Sequence, residues 1–375
     1  MDLSAGADER LLAEKLIGFD SSNDDGIRAC AGYVKGWLEA REIHTSQLEI
    51  RGLPILLAEV GPGAEAGAPG VILHGHVDVV PGREGQFDAR VEGDRLIGRG
   101  AYDMKGALAG MMLALNDLTE QQRTRVSLAI VPDEEAEDAD YRGTDLLVDE
   151  GLRADFAITG EPTDMHVGVA AKGVLAVRLE VSGRAAHGST PWEGDNAILK
   201  AFSLFRKIES LPFSRESSEL FDRPSINLGR IWGGDALNKV PDTCVIDVDI
   251  RYLPEQSQDE ILAQIGDLED SKVLSTFTRP PVAVDRRSGF VRALCDATQP
   301  HHEGEVTGVG RDGASDAISF LRAGIPAVEF GPTGAGHHGP EEWVSVSSLG
   351  AYRRALVDFV MAVPSAVGTG EEAAR

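Results

Sequence analysis

His74, His76 and Asp78 alternate in the string HGHVD, directly after an apolar run that reads as a buried strand. In extended backbone alternate residues share a face, so His76 and Asp78 can stand side by side. A carboxylate so placed can accept the second N–H of a metal-bound imidazole. A pair of turn histidines beside an aspartate is the plainer reading. His74 has the same parity and a weaker claim. Asp103 lies in GRGAYDMKG, a glycine-punctuated turn ahead of a helical pattern. It reads as the cap of that helix or as a ligand carboxylate held at a tight turn. Asp133, Glu134 and Glu135 follow the apolar run RVSLAIVP. Neighbouring carboxylates at a strand end point in different directions, so one can bind a metal while the other acts as a general base. The acidity continues through Glu137, Asp138 and Asp140, which fits a solvated loop equally well. Glu161, in ITGEPTD, is a candidate of the same kind. Of nine histidines, His337 and His338 are adjacent in GHHGPEEW, and either could supply a last ligand.

Together these strings offer imidazoles and carboxylates from four separate strand ends. A mixed nitrogen and oxygen donor set suits Zn²⁺, with Co²⁺ or Mn²⁺ as substitutes. No HExxH, four-cysteine or phosphate-loop pattern is present. The run Gly308-Val309-Gly310-Arg311-Asp312-Gly313 matches GxGxxG. A dinucleotide fingerprint belongs in an early strand–turn–helix unit, whereas this one sits late with no clear strand before it.

The elements that must position these groups alternate in type. Residues 9–18 and 26–42 carry helical spacing, 47–60 looks extended, and 61–70 has the composition of a loop. Strands at 71–76, 125–132 and 155–159 alternate with a helix at 104–118. This pattern predicts an α/β fold with a mixed, largely parallel sheet and helices on both faces. Sites in such sheets form at the carboxyl ends of the strands. Near residue 172 the style changes to the alternation of antiparallel strands. Helices follow at 195–210 and 257–268, and strands at 224–233 and 240–252. The α/β style returns after about 286, with helix 288–298, a glycine-rich turn at 308–313, helix 314–323, strand 325–330 and a final helix at 347–362. We therefore expect 1–172 and 286–375 to form one domain and 173–285 an inserted α+β domain, with the tail 368–375 disordered.

Composition narrows the partners. The 375 residues carry 36 Lys+Arg against 61 Asp+Glu, a net charge of -25. Nucleic acid needs a basic face, and an anionic membrane surface attracts one, so neither is expected as a partner. No apolar run approaches the roughly 20 residues of a spanning helix. The N-terminal stretch lacks the basic and then apolar regions of a signal peptide. Cys30, Cys244 and Cys295 lie far apart with no CxxC, as for reduced thiols in a cytoplasm.

The order of the strings GHVDVVP, GRGAYDMKGALAG, DEE, GEPT, GRAAHGSTP, GGDALNKVPDTC, DIRYLP, GASDA and HHGPEEWV resembles the M20 family of metallopeptidases and amidohydrolases. Its nearest look is to the acetylornithine deacetylase and succinyl-diaminopimelate desuccinylase group. The resemblance implies two metal ions bridged by one aspartate and a water. His76 and Glu161 would be the terminal ligands of one metal, Glu135 and His338 those of the other, and Asp103 the bridge. The family spacing His-x-x-acid-Glu-aromatic-Val favours His338 over His337. Asp78 would orient His76, Glu134 would be the general base, and the Asp103-Met104 peptide would be cis. A glutamate at the position of Glu161 is more typical of desuccinylase-like members.

The inserted unit resembles the family's lid and dimerisation domain, implying a homodimer. His187 matches a histidine that enters a neighbouring subunit's site and steadies the oxyanion, and Asn238 and Arg251 match lid residues that hold substrate polar groups. Arg251 reads equally as half of a strand-surface ion pair. Ser315 and Asp316 match a substrate-facing turn, where the Arg311 guanidinium could grip a substrate carboxylate with two hydrogen bonds. The implied reaction is hydrolysis of the amide of a small-molecule N-acyl amino acid. An exopeptidase or dipeptidase of the same family, acting on short peptides, fits the same motifs.

Overall fold

The strand Gly70–His76 is buried at every position, as its unbroken apolar start requires of a strand covered on both faces. It lies between Arg125–Val131 and Phe156–Thr159 and runs parallel to both, with His76 level with Val131 and His74 level with Thr159. The carboxyl ends of these strands therefore fall at one edge. Ala327–Glu329 extends the parallel set beside Phe156–Thr159. Antiparallel strands flank it: Leu53–Val60 and then Thr45–Ile50 on one side, Val167–Ala171 on the other. The sheet is mixed and mostly parallel at its centre, as the alternation of elements predicts. The computed structural model describes residues 6–63, 66–136, 141–269, 271–313 and 315–372, with 367–372 described by backbone alone. The acidic positions 137, 138 and 140 and the extreme tail lie outside these.

Helix Gly106–Asp117 is apolar all round and buried, the expectation for a helix enclosed by others. Ala7–Ile17 and Val346–Glu372 pack against it. Helix Asp24–Glu39 starts at Asn23, whose side chain accepts from the Gly26 amide at 3.1 Å. A second, smaller antiparallel sheet joins Arg90–Glu92, Arg95–Ile97, Trp343–Ser345 and Gly334–Ala335. It sets the segment 98–103 beside the late loop 336–342.

The chain divides into two units: Met1–Val169, Val284–Val309 and Ser315–Arg375 form the first, and Ala170–Ala283 with Gly310–Ala314 the second. The second unit is a four-stranded antiparallel sheet in the order Ser225–Gly233, Thr243–Tyr252, Gly173–Ser182, Ser271–Arg279. Helices Ala197–Ile208 and Gln258–Gly266 contribute to its core, where Leu179, Ile246, Leu204 and Ile261 meet.

Several features depart from the sequence-based expectations. Residues 47–60 are a hairpin whose register pairs Ile50 with Leu53. The glycine-rich run at 308–313 contains a short strand, Gly308–Arg311, beside Val167–Ala171, so it is not a phosphate-cradling turn. Ser271–Arg279 is a strand whose largely exposed pattern carries little periodic signal. The final helix continues to Glu372 through part of the segment expected to be disordered.

Candidate active site

His76 ends its strand with its ring fully buried. Its Nδ1 faces the Asp78 carbonyl at 2.9 Å and the Asp78 carboxylate at 3.4 Å. That leaves Nε2 to face Asp103 Oδ1 at 3.3 Å and Glu161 Oε1 at 3.8 Å. The other oxygen of Asp103 faces His338 Nε2 at 3.5 Å, and His338 Nε2 lies 3.0 Å from Glu135 Oε1. One aspartate thus presents one oxygen to each of two imidazole–carboxylate pairs. The ligand atoms of His76, Asp103 and Glu135 lie within 4.8 Å of one another. His337 does not enter this group; its ring packs against Tyr102. His338 reaches it from a left-handed backbone, φ 61°, a conformation that is uncommon outside glycine.

The electrostatics are those of a site built for cations. Burial pushes the Glu161 carboxyl well above its ordinary value, and Asp103 and Glu134 add to the rise. Burial also opposes charge on Asp103, yet the His338 and His76 rings hold it well below the usual carboxylate range. Hydrogen bonds to Asp103 and Glu135 lift His338 to about 10. Among the described residues, buried Glu161 Oε1 has no hydrogen-bond partner, His76 Nε2 standing 3.8 Å away. Unpaired buried carboxylate oxygens are costly, and a divalent ion reverses that cost. The donor set of imidazole nitrogens and carboxylate oxygens fits a first-row divalent metal.

The turn carrying Asp103 is shaped from outside. Glu342, 1% exposed, accepts from the amides of Gly100, Tyr102 and Asp103, each at 3.0 Å. Arg99 Nη1 donates to the same carboxylate at 2.7 Å, and Arg99 Nη2 donates to the His338 carbonyl at 3.2 Å. Gly100 at φ 77° makes the turn possible, and the Asp103-Met104 peptide is cis. Glu342 and Arg99 thus tie the Asp103 turn to the His338 loop. Sequence reasoning assigned neither a role; the only signal was an acid in a motif already rich in acids.

Asp133, Glu134 and Glu135 diverge. Asp133 accepts from the Gly143 amide at 3.0 Å and pairs with Arg51. Glu135 faces His338, and its amide donates to Asp78 Oδ2 at 2.8 Å. Glu134 Oε1 accepts from Arg142 Nη1 at 2.9 Å, and the same nitrogen donates to Asp316 Oδ1 at 3.0 Å. Burial pushes the Glu134 carboxyl up to about 8; Asp316 adds to the rise and Arg142 opposes it. His74 lies in this second network, with Nε2 2.9 Å from Thr144 Oγ1. Arg142, Thr144 and helix Gly143–Asp149 carried no sequence signal, because an arginine before a short helix is unremarkable.

The remaining candidates are distributed as follows. Ser315 is buried, and its Oγ accepts from the Ala317 amide at 3.1 Å in the turn that leads into helix Ala317–Arg322. In the second unit, His187 is exposed, its Nδ1 2.8 Å from Ser189 Oγ. The Gly188 amide donates to the Asn238 carbonyl at 2.7 Å, which sets the His187 and Asn238 segments side by side. Arg251 Nε pairs with Asp249 at 3.1 Å on the strand surface. The Arg311 carbonyl accepts from the Lys172 amide at 3.1 Å.

A largely parallel sheet carrying a shared aspartate between two imidazole–carboxylate pairs defines the class of metal-dependent hydrolases. The chain belongs to peptidase family M20/M25/M40, whose profile matches residues 72–362. It is 28% identical over 367 residues to a probable succinyl-diaminopimelate desuccinylase of Staphylococcus aureus, covering 86% of this chain and 89% of that one. It is 33% identical over 250 residues to an acetylornithine deacetylase of Proteus mirabilis, 63% of each chain. A Staphylococcus aureus tripeptidase has the same fold, with a TM-score of 0.76 at 20% identity over 96% of this chain and 99% of that one. Among the described residues, no helix is long and apolar enough to cross a membrane.

Proposed function

We propose that the chain hydrolyses the amide of an N-acyl amino acid, in the manner of a deacetylase or desuccinylase. The observation that carries this reading is Asp103, whose two oxygens each face an imidazole already paired with a further carboxylate. In this reading His76 and Glu161 would hold one divalent ion and Glu135 and His338 a second, with Asp103 serving both. Two divalent ions, Zn²⁺ with Co²⁺ or Mn²⁺ as substitutes, supply carbonyl polarisation and acidified water when bound. Asp78 keeps the His76 ring turned so that Nε2 faces the site. Glu134, beside the ligands and aimed by Arg142, takes the proton of the attacking water and returns it to the leaving amine. His187 and Asn238 of the second unit stabilise the oxyanion in the assembled homodimer; one such donor is worth roughly 10²–10³ in rate. Arg251, Arg311 and Ser315 are the candidate substrate contacts. The desuccinylase and deacetylase relatives support the acyl-amino-acid choice over a peptide.

The test is free-amine release by zinc- or cobalt-loaded protein from N-acetyl, N-succinyl and N-carbamoyl amino acids with basic, acidic and apolar side chains, alongside dipeptides. A strong acyl-amino-acid substrate supports the proposal. Cleavage of dipeptides alone moves the protein to the peptidase branch, and silence from metal-loaded protein removes the proposal.

A further inference from the structure

Glu134 is held by a network that has no part in metal ligation. Its anchor is Arg142, whose side chain is almost enclosed. Arg142 Nη1 reaches both Glu134 Oε1 and Asp316 Oδ1, and Nη2 donates to the Ala136 carbonyl at 3.3 Å. Asp316 is fully buried, and its Oδ2 accepts from the Thr144 hydroxyl at 2.6 Å. A hydroxyl that donates there has only lone pairs left for His74, so His74 Nε2 carries the proton and donates to Thr144. His74 sits on the central strand, its ring edge-on to Phe320. The backbone around Arg142 is fixed as well. Asp133 takes the Gly143 amide, Asp145 takes the Arg142 amide at 3.0 Å, and Arg51 donates to the Tyr141 carbonyl at 2.8 Å.

We infer that Arg142 is a positioning residue for Glu134, clamped by Asp316, Thr144 and His74 so that the Glu134 carboxylate is fixed in place by the central sheet. The inference rests on Glu134 being the base. The geometry explains why a buried arginine is used. A planar guanidinium with fixed N–H directions can orient a carboxylate, which an ammonium cannot do. Asp316 balances its charge, so the clamp fixes Glu134 without adding net positive charge beside it. It also gives His74 a task away from the metal-ligand group, and accounts for Asp316 in the GASDA string as a clamp and not a substrate contact.

The experiment compares Arg142→Ala, Arg142→Lys and Asp316→Asn with the parent, all metal-loaded, reading kcat, KM, metal stoichiometry and melting temperature. Arg142→Ala is expected to lower kcat by roughly 10–100-fold, the scale of a misplaced catalytic group, with KM and both metals retained. Millimolar guanidinium is expected to restore part of kcat in Arg142→Ala and none in the parent, a response that a merely structural arginine would not show. Arg142→Lys is expected to keep the fold and still lose most of kcat. In a Glu134→Gln background, Arg142→Ala should have no further effect, because residues acting as one unit are not additive. A parental kcat in Arg142→Ala, or a loss that tracks loss of metal, overturns the inference. If Arg142→Ala does not fold, Arg142→Lys decides on the same readouts. If Glu134→Gln itself keeps activity, the base assignment falls instead, and the two failures are told apart.

Discussion

Asp133, Glu134 and Glu135 are chain neighbours with three different partners: the Gly143 turn, Arg142 and His338. Only their divergence was legible in the sequence. Which one faces which neighbour depends on residues far away in the chain. Glu134→Gln is expected to keep both metals and lower kcat by about 10²–10⁴; near-parental turnover would remove it as the base. The pair His337 and His338 makes a sharper contrast. Spacing favoured His338, and only His338 reaches Asp103 and Glu135. His338→Ala should lose one metal equivalent by atomic absorption, while His337→Ala keeps both. Equal metal loss in the two variants would refute this reading. Arg99 and Glu342 were illegible because their roles depend on loops that meet only in the folded chain.

At the scale of elements, the sheet explains why glycines punctuate the motifs. Gly331 follows the strand Ala327–Glu329, and a Cβ there would stand 2.3 Å from the Glu161 carbonyl oxygen. Backbone cannot yield as a side chain tip does, so Gly331→Ala should cost roughly 1–3 kcal/mol. If Glu161 is a ligand as proposed, it should also weaken metal binding, and calorimetry with metal titration checks both. The Glu342 clasp predicts a larger effect. Breaking a buried, hydrogen-bonded ion pair costs about 3–5 kcal/mol, so Glu342→Ala should melt much lower than the parent. An unchanged melting temperature would mean that the clasp contributes nothing. Long apolar runs at 71–76, 125–132 and 155–159 made the central strands readable. Val167–Ala171 and Ser271–Arg279 were missed: one sits in a run of small residues and the other is a largely exposed strand.

At the scale of the whole molecule, the second unit shows apolar side chains to solvent. Leu199 and Phe202 lie on helix Ala197–Ile208, and Trp232 on the edge strand Ser225–Gly233; they are 65%, 50% and 48% exposed. Leu199 and Phe202 share one helix face, whereas Trp232 lies on the other side of the sheet beside Arg178, so the helix face is the surface we propose for association. If the proposed homodimer forms through this face, Phe202→Asp should shift the protein from dimer to monomer in sedimentation and lower kcat through loss of the partner's His187. A monomeric parent would end the dimer proposal. The change of style near residue 172 showed the insertion in the sequence; the membership of Gly310–Ala314 in the second unit did not show, since five residues carry no pattern.

The discontinuity of the first unit also has a consequence in time. His76, Asp103, Glu135 and Glu161 leave the ribosome before the second unit, and His338 and Glu342 leave after it. At about 5–20 residues per second, Glu161 waits roughly 9–35 s for His338 and His76 roughly 13–52 s. Throughout that interval the nascent sheet edge has one imidazole and a surplus of carboxylates, with nothing yet holding the Asp103 turn. A growing chain therefore carries four of the five proposed ligands, and the loop 336–342 brings the fifth together with the carboxylate that holds the Asp103 turn.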